Sequence, residues 1–337
     1  MSRELVLDDL IHQRQPFGGV STYWQCLRAG LAARGTALRI AAAPRRLALR
    51  PAVLRDAVFH GSYLRVALGP GVRNVVTVHD LIVERRRVET RSGLASRALR
   101  RFAVRAADAI VCVSAATRAE LEAVYGHALD GKRVVIARHG GPLSMPAAVR
   151  PPLPAIRPYA ERERRVLFVG TRDGYKNFPA ALQGFRDSAL PAEGFTLTCT
   201  GHAFTREERA LVAALGLAGA VEHAGVLPAA ELWQLYARAL ALVYPSREEG
   251  FGLPVLEAMS FGCVPVASSI PALREVVADA VPLFEPDGGG FGQGLRAAVE
   301  PARWEALSQA SRRRAAGFDW ADSVERHLAV YRELGAA

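Results

Sequence analysis

The sequence predicts an α/β protein built from two doubly wound parallel-sheet units. Three observations predict it. Short β-rich apolar runs alternate with helical stretches along the chain. A proline-rich segment interrupts that alternation, which then restarts. And 337 residues exceed what one hydrophobic core ordinarily serves. With 50% hydrophobic and 23% charged residues, the composition is that of a folded soluble chain.

Taken in order, "ELVLDD" reads as a first strand, and Gly18-Gly19 turns the chain into a helix from about Val20 to Arg34. Val20, Trp24, Leu27 and Leu31 keep helical spacing, and Gly35 stops it. "LRIAAA", "NVVTVHD", "AIVCVS" and "RVVIARHG" supply further strands, and "AATRAELEAVYG" a helix. "GPLSMPAAVRPPLPAIRP", from Gly141 to Pro158, carries too many prolines for a helix or a central strand and reads as a stiff linker. The second unit runs through "RRVLFVG", a helix from about Phe178, "GFTLTCTG", a helix from Arg206, "VEHAGV", a helix from Ala229, "ALALVYPS" and "VPVASS". Asp319 suits the cap of a last helix. The domains so predicted are 1–148 and 165–318, with a linker at 149–164 and a final helix at 319–334. No internal repeat is present, and "DGGGFGQG" near Gly290 is the one low-complexity patch.

No apolar run approaches the roughly 18 residues of a membrane span, and "MSRELVLDDL" has no signal-peptide core. The four cysteines are far apart inside apolar runs, which suits buried free thiols in a reducing compartment. A cytoplasmic protein is expected. The formal charge of +10 suits nucleic acid, an anionic membrane or a phosphorylated ligand. Eight arginines lie between Arg85 and Arg105. On a helix, Arg97, Arg101 and Arg105 share one face, and Leu99, Phe102 and Ala106 fall on another. That pattern fits peripheral contact with an anionic membrane, possible at the inner face, and equally a solvated arginine surface. Nucleic acid is not expected as a partner, because only Phe102 interleaves with these arginines.

The most informative stretch is "PSREEGFGLPVLEAMSFGCVPVAS", Pro245 to Ser268. It follows an apolar β-run, so it lies at the carboxyl end of a parallel strand, where ligands bind in open α/β sheets. Pro254 suits the first residue of the next helix. Gly250 and Gly252 allow close approach of a ligand, and the amides of Phe251, Gly252 and Leu253 would face an anion such as phosphate. Glu257, expected in the first helical turn, suits the vicinal hydroxyls of a ribose, and Glu249 suits hydroxyls beyond the phosphates. Two acids around a phosphate cradle describe a nucleoside diphosphate carrying a sugar. The plainer alternative is a solvated Glu249 and a dipole-favoured Glu257.

Glu249-Gly250-Phe251-Gly252-Leu253-Pro254-Val255-Leu256-Glu257-Ala258 also resembles the E-x7-E signature of retaining glycosyltransferases of the GT-B fold, family 4. The resemblance implies two Rossmann-like domains facing across a cleft, with Glu257 on the donor ribose and Glu249 on the donor sugar. "FVGTRDGYKNF" is similar to the family's glycine-then-basic motif, which implies Arg172 and Lys176 as cations for the diphosphate. Thr171 stands where many members have that arginine, and Lys176-Asn177 aligns without a shift. Gly18-Gly19 resembles the loop whose backbone closes over the donor phosphates. His79, in "VVTVHDLIVE", resembles the histidine lining the donor-sugar side, and is expected to make a catalytic contact; from sequence alone it is equally a buried hydrogen-bonding residue. His139, in the family's His-Gly turn, is expected to be structural. Glu222, His223 and Gly225 fall near the nucleobase region, and the last helix is expected to brace the first domain.

No Asp-x-Asp pair occurs in the chain, so neither a metal nor another cofactor is expected. Fixed cations and amides would neutralise the leaving diphosphate. The function expected is retaining transfer of a hexose or deoxyhexose, GDP-mannose being the first donor, to a glycan or lipid-linked acceptor. "FGGVSTYW" and "HDL" resemble O-antigen and capsule mannosyl- or rhamnosyltransferases, which implies bacterial surface polysaccharide (lipopolysaccharide) assembly. The rivals are a sugar-nucleotide epimerase or phosphorylase-like enzyme of the same fold, a nucleic-acid binder, and a non-catalytic nucleotide-sugar binding protein.

Overall fold

The computed structural model describes residues 3–15, 18–41, 51–62, 64–85, 91–172 and 174–336, with the side chains of 91–93 outside the description. The chain divides into two compact units. Met1–Gly140, Ser144–Val149 and Asp319–Ala337 form unit 1; Gly141–Leu143 and Arg150–Phe318 form unit 2.

The strands of unit 1 are β1 (Glu4–Asp8), β2 (Arg39–Ala41), β3 (Ala52–Val53), β4 (Ala57–Gly61), β5 (Ala67–Leu68), β6 (Arg73–Val78), β7 (Ala109–Cys112) and β8 (Arg133–Ile136). Six form a parallel sheet in the order β2-β1-β4-β6-β7-β8, and β3 pairs with β5 beside it. Helices α1 (Leu10–Arg14), α2 (Gly19–Ala32), α3 (Ile82–Arg85), α4 (Arg91–Ala106) and α5 (Ala115–Tyr125) join them. Ser114 caps α5, its side chain accepting from Thr117 N.

Strand β4 has no counterpart among the expected strands, although it lies buried between β1 and β6. Its sequence, Ala-Val-Phe-His-Gly, is short and carries a histidine, so no apolar run announces it.

Unit 2 holds β9 (Glu163–Phe168), β10 (Thr196–Thr200), β11 (Val221–Gly225), β12 (Ala239–Tyr244), β13 (Val264–Ser268) and β14 (Leu283–Phe284). Its helices are α6 (Phe178–Asp187), α7 (Arg206–Ala214), α8 (Ala229–Arg238), α9 (Leu253–Ser260), α10 (Pro271–Val277), α11 (Phe291–Ala298) and α12 (Pro301–Ala315). The sheet is parallel, in the order β11-β10-β9-β12-β13-β14. Numbered within the unit, that is the doubly wound order 3-2-1-4-5-6, whose direction reverses between β9 and β12. Loops leaving the carboxyl ends of those two strands therefore flank the crevice where such sheets bind ligands.

The glycine-rich patch near Gly290 is ordered, because α11 begins inside it. A Cβ on Gly294 would sit 2.5 Å from Phe284 Cζ, and one on Gly184 of α6 would sit 2.7 Å from Phe291 Cβ. The glycines let α6, α11 and β14 pack closely. Arg162 staples the same unit from inside: it is buried, lies 4.6 Å over the Trp304 ring, and donates to the carbonyls of Arg157, Tyr236, Ala239 and Phe261.

The last helix, α13 (Trp320–Glu333), belongs to unit 1. Asp319 caps it, accepting from Ala321 N at 2.8 Å. Its face of Trp320, Val324, His327, Leu328 and Tyr331 is buried, and Val324 meets α2 so closely that a Cβ on Gly30 would stand 2.5 Å from it.

Candidate functional site

In unit 2 the two loops at the reversal point meet. The turn after β9 presents Lys176 and the loop after β12 presents Glu249. Lys176 Nζ lies 2.7 Å from Glu249 Oε1 and donates to Tyr244 Oη at 2.7 Å. Both charged side chains are about 10% exposed. Burial opposes the lysine's charge, but the Glu249 carboxylate, with Tyr244 and Tyr175, more than offsets it and holds the ammonium above its ordinary pKa. The result is a fixed buried cation at the carboxyl edge of the sheet. Arg247 ties the two loops together: its backbone N–H donates to Tyr175 O at 2.8 Å and its guanidinium to Gly174 O at 3.0 Å. Asn177, left-handed at φ 55°, begins α6 and donates to Pro286 O at 2.9 Å.

Helix α9 starts at Leu253 with Pro254 second, one position later than expected, and Gly252 precedes it at φ 101°. A Cβ on Gly252 would lie 2.3 Å from Leu273 Cδ2, so both conformation and space call for glycine there. The Phe251 side chain is buried against Phe318. Glu257 is the fifth residue of α9, so it stands in the second turn, and the helix-dipole argument for it weakens accordingly. Its carboxylate sits instead between two aromatic donors of α8, with Trp233 Nε1 3.5 Å from Oε1 and Tyr236 Oη 3.4 Å from Oε2. Part of Glu257 remains solvent-exposed, yet burial pushes its carboxyl up to about 7, against the opposing effect of those two donors.

Arg172 is placed otherwise than a diphosphate cation requires. Its Nε pairs with Glu208 Oε1 at 2.9 Å, and its terminal nitrogens donate to the carbonyls of Thr200, His202 and Ala203. The guanidinium also lies 4.8 Å over the Phe204 ring. It braces the loop between β10 and α7, and most of its donors are occupied. In the expected nucleobase region, Glu222 pairs with Arg165 at 2.8 Å, His223 Nε2 lies 2.9 Å from Gly201 O, and Gly225 ends β11. Tyr244, Trp233, Tyr236 and Arg247 were not among the sequence-derived candidates. The first three sit in apolar or helical patterns that read as core.

In unit 1, Gly18 caps α2 at φ 119° and Gly19 is its first residue. His79 follows β6. Its Nε2 is shielded from solvent and has no hydrogen-bond partner among the described residues. Burial first, then the Arg100 cation and His327, hold its pKa down to about 3, so the imidazole is neutral at physiological pH. The Tyr23 ring meets it edge-on at 4.9 Å and the His139 ring lies 6.0 Å away. Around them runs a buried chain: Tyr331 Oη to His60 Nδ1 at 2.6 Å, His60 Nε2 to Thr77 Oγ1 at 2.8 Å, Thr77 to Tyr23 Oη at 2.9 Å, and Tyr23 to His327 Nε2 at 2.5 Å. Among the described residues, no group of three or more His, Cys, Asp or Glu is arranged to hold a metal ion.

A family model described as glycosyl transferases group 1 matches residues 150–312, and one described as glycosyltransferase family 4 matches residues 48–144. The chain is similar to the O-antigen chain mannosyltransferase B of Escherichia coli, at 28% identity over 86% of this chain and 78% of that protein. A shorter match, 38% identical over 35% of this chain, covers 29% of D-inositol 3-phosphate glycosyltransferase 1 of Catenulispora acidiphila. In fold it is similar to a sucrose-phosphate synthase from Thermosynechococcus elongatus, with a TM-score of 0.74 at 18% identity, covering 98% of this chain and 99% of that one.

Proposed function

Because the chain is a glycosyltransferase of group 1 and family 4, we propose that it moves a hexose or deoxyhexose, mannose first, from a nucleoside diphosphate to a glycan or lipid-linked saccharide. The observation that carries this is the buried Lys176–Glu249–Tyr244 cluster at the reversal point of the unit 2 sheet, with Glu257 on the adjoining helix. Lys176 and the amides around Gly252 hold the diphosphate, Glu257 the ribose, and Glu249 the sugar hydroxyls. His79, neutral, donates or accepts one hydrogen bond near the reacting centre. The acceptor hydroxyl attacks the anomeric carbon on the face the phosphate leaves. The C–O bond to phosphate breaks as the new one forms, and the departing phosphate oxygen takes the proton. The configuration is retained and no metal takes part. Mannose as the sugar, and surface-polysaccharide assembly as the setting, are supported by the similarity to an O-antigen chain mannosyltransferase.

The test is a panel of GDP-mannose, UDP-glucose and dTDP-rhamnose with a lipid-linked saccharide acceptor, in EDTA. The expected result is transfer from one of these donors, undiminished by EDTA, with a product whose anomeric configuration by NMR is that of the donor. Inverted product, a requirement for added divalent metal, or donor turnover without acceptor each counts against the corresponding part.

Peripheral membrane contact through α4 belongs to the same reading. Ala103 and Val104 of α4 are buried, while Leu94 and Phe102 are 52% and 47% exposed, beside exposed Arg101 and Arg105. Arg86 and Arg87 lie outside the described residues. An apolar ridge bordered by arginines suits an anionic lipid surface better than water alone. No helix among the described residues is long and apolar enough to cross a membrane. Sedimentation with phosphatidylglycerol vesicles is expected to bring the protein down, and Phe102→Ser to weaken this about tenfold. Equal binding by the variant would remove the ridge from the account.

A further inference from the structure

One arginine of the basic helix does not face outward. Arg100 is about 12% exposed and points to the segment that carries His79. Its Nε stands 3.0 Å from Glu84 Oε1, itself buried. One terminal nitrogen donates to the backbone carbonyl of Asp80 and lies 3.9 Å from the Asp80 carboxylate. Glu84 also accepts from Tyr125 Oη at 3.3 Å, and Asp80 Oδ1 accepts from Ile82 N at 3.2 Å, closing the start of α3. A single guanidinium thus joins α4 and α3 to the residue next to His79, and Glu84 carries the link on to α5.

We infer that Arg100 is a positioning residue for transfer: by holding the Asp80 carbonyl and Glu84 it fixes where the His79 ring stands. The inference rests on the reading that His79 touches the reacting sugar. A buried ion pair is costly to desolvate and adds little stability over an apolar pair, so its value here lies in geometry. The imidazole's other neighbours include Tyr23 from α2, His139 after β8 and His327 from α13, and Arg100 brings a fixed positive charge close enough to act on it. Displacement of a catalytic contact by about 1 Å lowers turnover steeply without touching donor affinity.

The experiment is a double-mutant cycle on the full chain, reading kcat, donor KM and nucleoside-diphosphate affinity. Arg100→Gln is expected to lower kcat about tenfold with nucleotide affinity unchanged. Arg100→Lys should recover part of the loss. The double variant His79→Ala/Arg100→Gln should be no slower than His79→Ala alone, because the two substitutions remove one contact. Should Arg100→Gln fold poorly through the stranded Glu84, Arg100→Gln/Glu84→Gln replaces it in the cycle. If His79→Ala keeps full kcat, the reading of His79 falls and this inference with it. If His79→Ala is slow but Arg100→Gln is not, or if the two losses simply multiply, the positioning role alone is overturned.

Discussion

Lys176→Met is expected to lower kcat/KM for the nucleotide sugar about 1,000-fold, roughly 4 kcal/mol of transition-state stabilisation. Two effects act in the same direction. The variant removes a fixed, buried cation from the place where leaving-group charge develops. It also strands Glu249, a carboxylate about 10% exposed that pairs with that lysine, and an unpaired buried anion repels a diphosphate. Glu249→Gln in the Lys176→Met background should therefore recover nucleoside-diphosphate affinity, measured by thermal shift or calorimetry, while transfer stays low because the sugar contact is gone. The coupling is what makes the assignment specific. A diphosphate affinity in Lys176→Met within about threefold of the parent, or no recovery in the double variant, would show that the ion pair serves the fold and not the donor.

Much of the fold was legible because its signals are local. Apolar runs such as "LALVYPS" and glycine or proline stops mark β12, α2 and α9 without reference to anything distant. The E-x7-E stretch was legible for the same reason, since its spacing is carried within one loop and one helix. What the sequence hid are features made by distance. Strand β4 is held by its neighbours β1 and β6, not by its own five residues. Tyr244 reads as the end of an apolar strand, and only the folded chain brings its hydroxyl to Lys176. Arg172 stands two residues after Gly170 in a motif similar to a phosphate-binding one, yet Glu208 and three carbonyls, from residues some thirty positions away, claim its guanidinium. Glu257 falls one residue further into its helix than expected, just past the first turn, because helix starts are set by capping geometry, here the left-handed Gly252, which a pattern fixes only approximately.

The histidines of unit 1 set the second large expectation: this unit should unfold between pH 6.5 and 5 while unit 2 remains folded. His60, His139 and His327 are buried. Burial, reinforced for His60 and His139 by neighbouring histidines, lowers His60 and His139 well below 6.5 and His327 to about 4. In the unfolded chain each takes up a proton near pH 6.5. Below that value the unfolded state binds more protons than the folded one, so stability falls as pH falls and is fully present above 6.5. Each histidine forfeits up to about 2 kcal/mol by pH 5, and three together on the order of 5 kcal/mol, much of an ordinary domain's stability. The Tyr331–His60–Thr77–Tyr23–His327 chain spreads the effect, because a proton on His60 or His327 displaces one already shared with a hydroxyl. Since Tyr331 and His327 lie on α13 and His60 and Tyr23 bond to them, the final helix should detach with the sheet it covers. Calorimetry should resolve two transitions, the unit 1 midpoint dropping by about 10–20 °C from pH 7.5 to 5. Limited proteolysis at pH 5 should cut within residues 1–140 and spare 150–318. A unit 1 transition that holds its midpoint across that range would mean the imidazoles are hydrated or already charged, and the buried network would lose its role in holding the last helix.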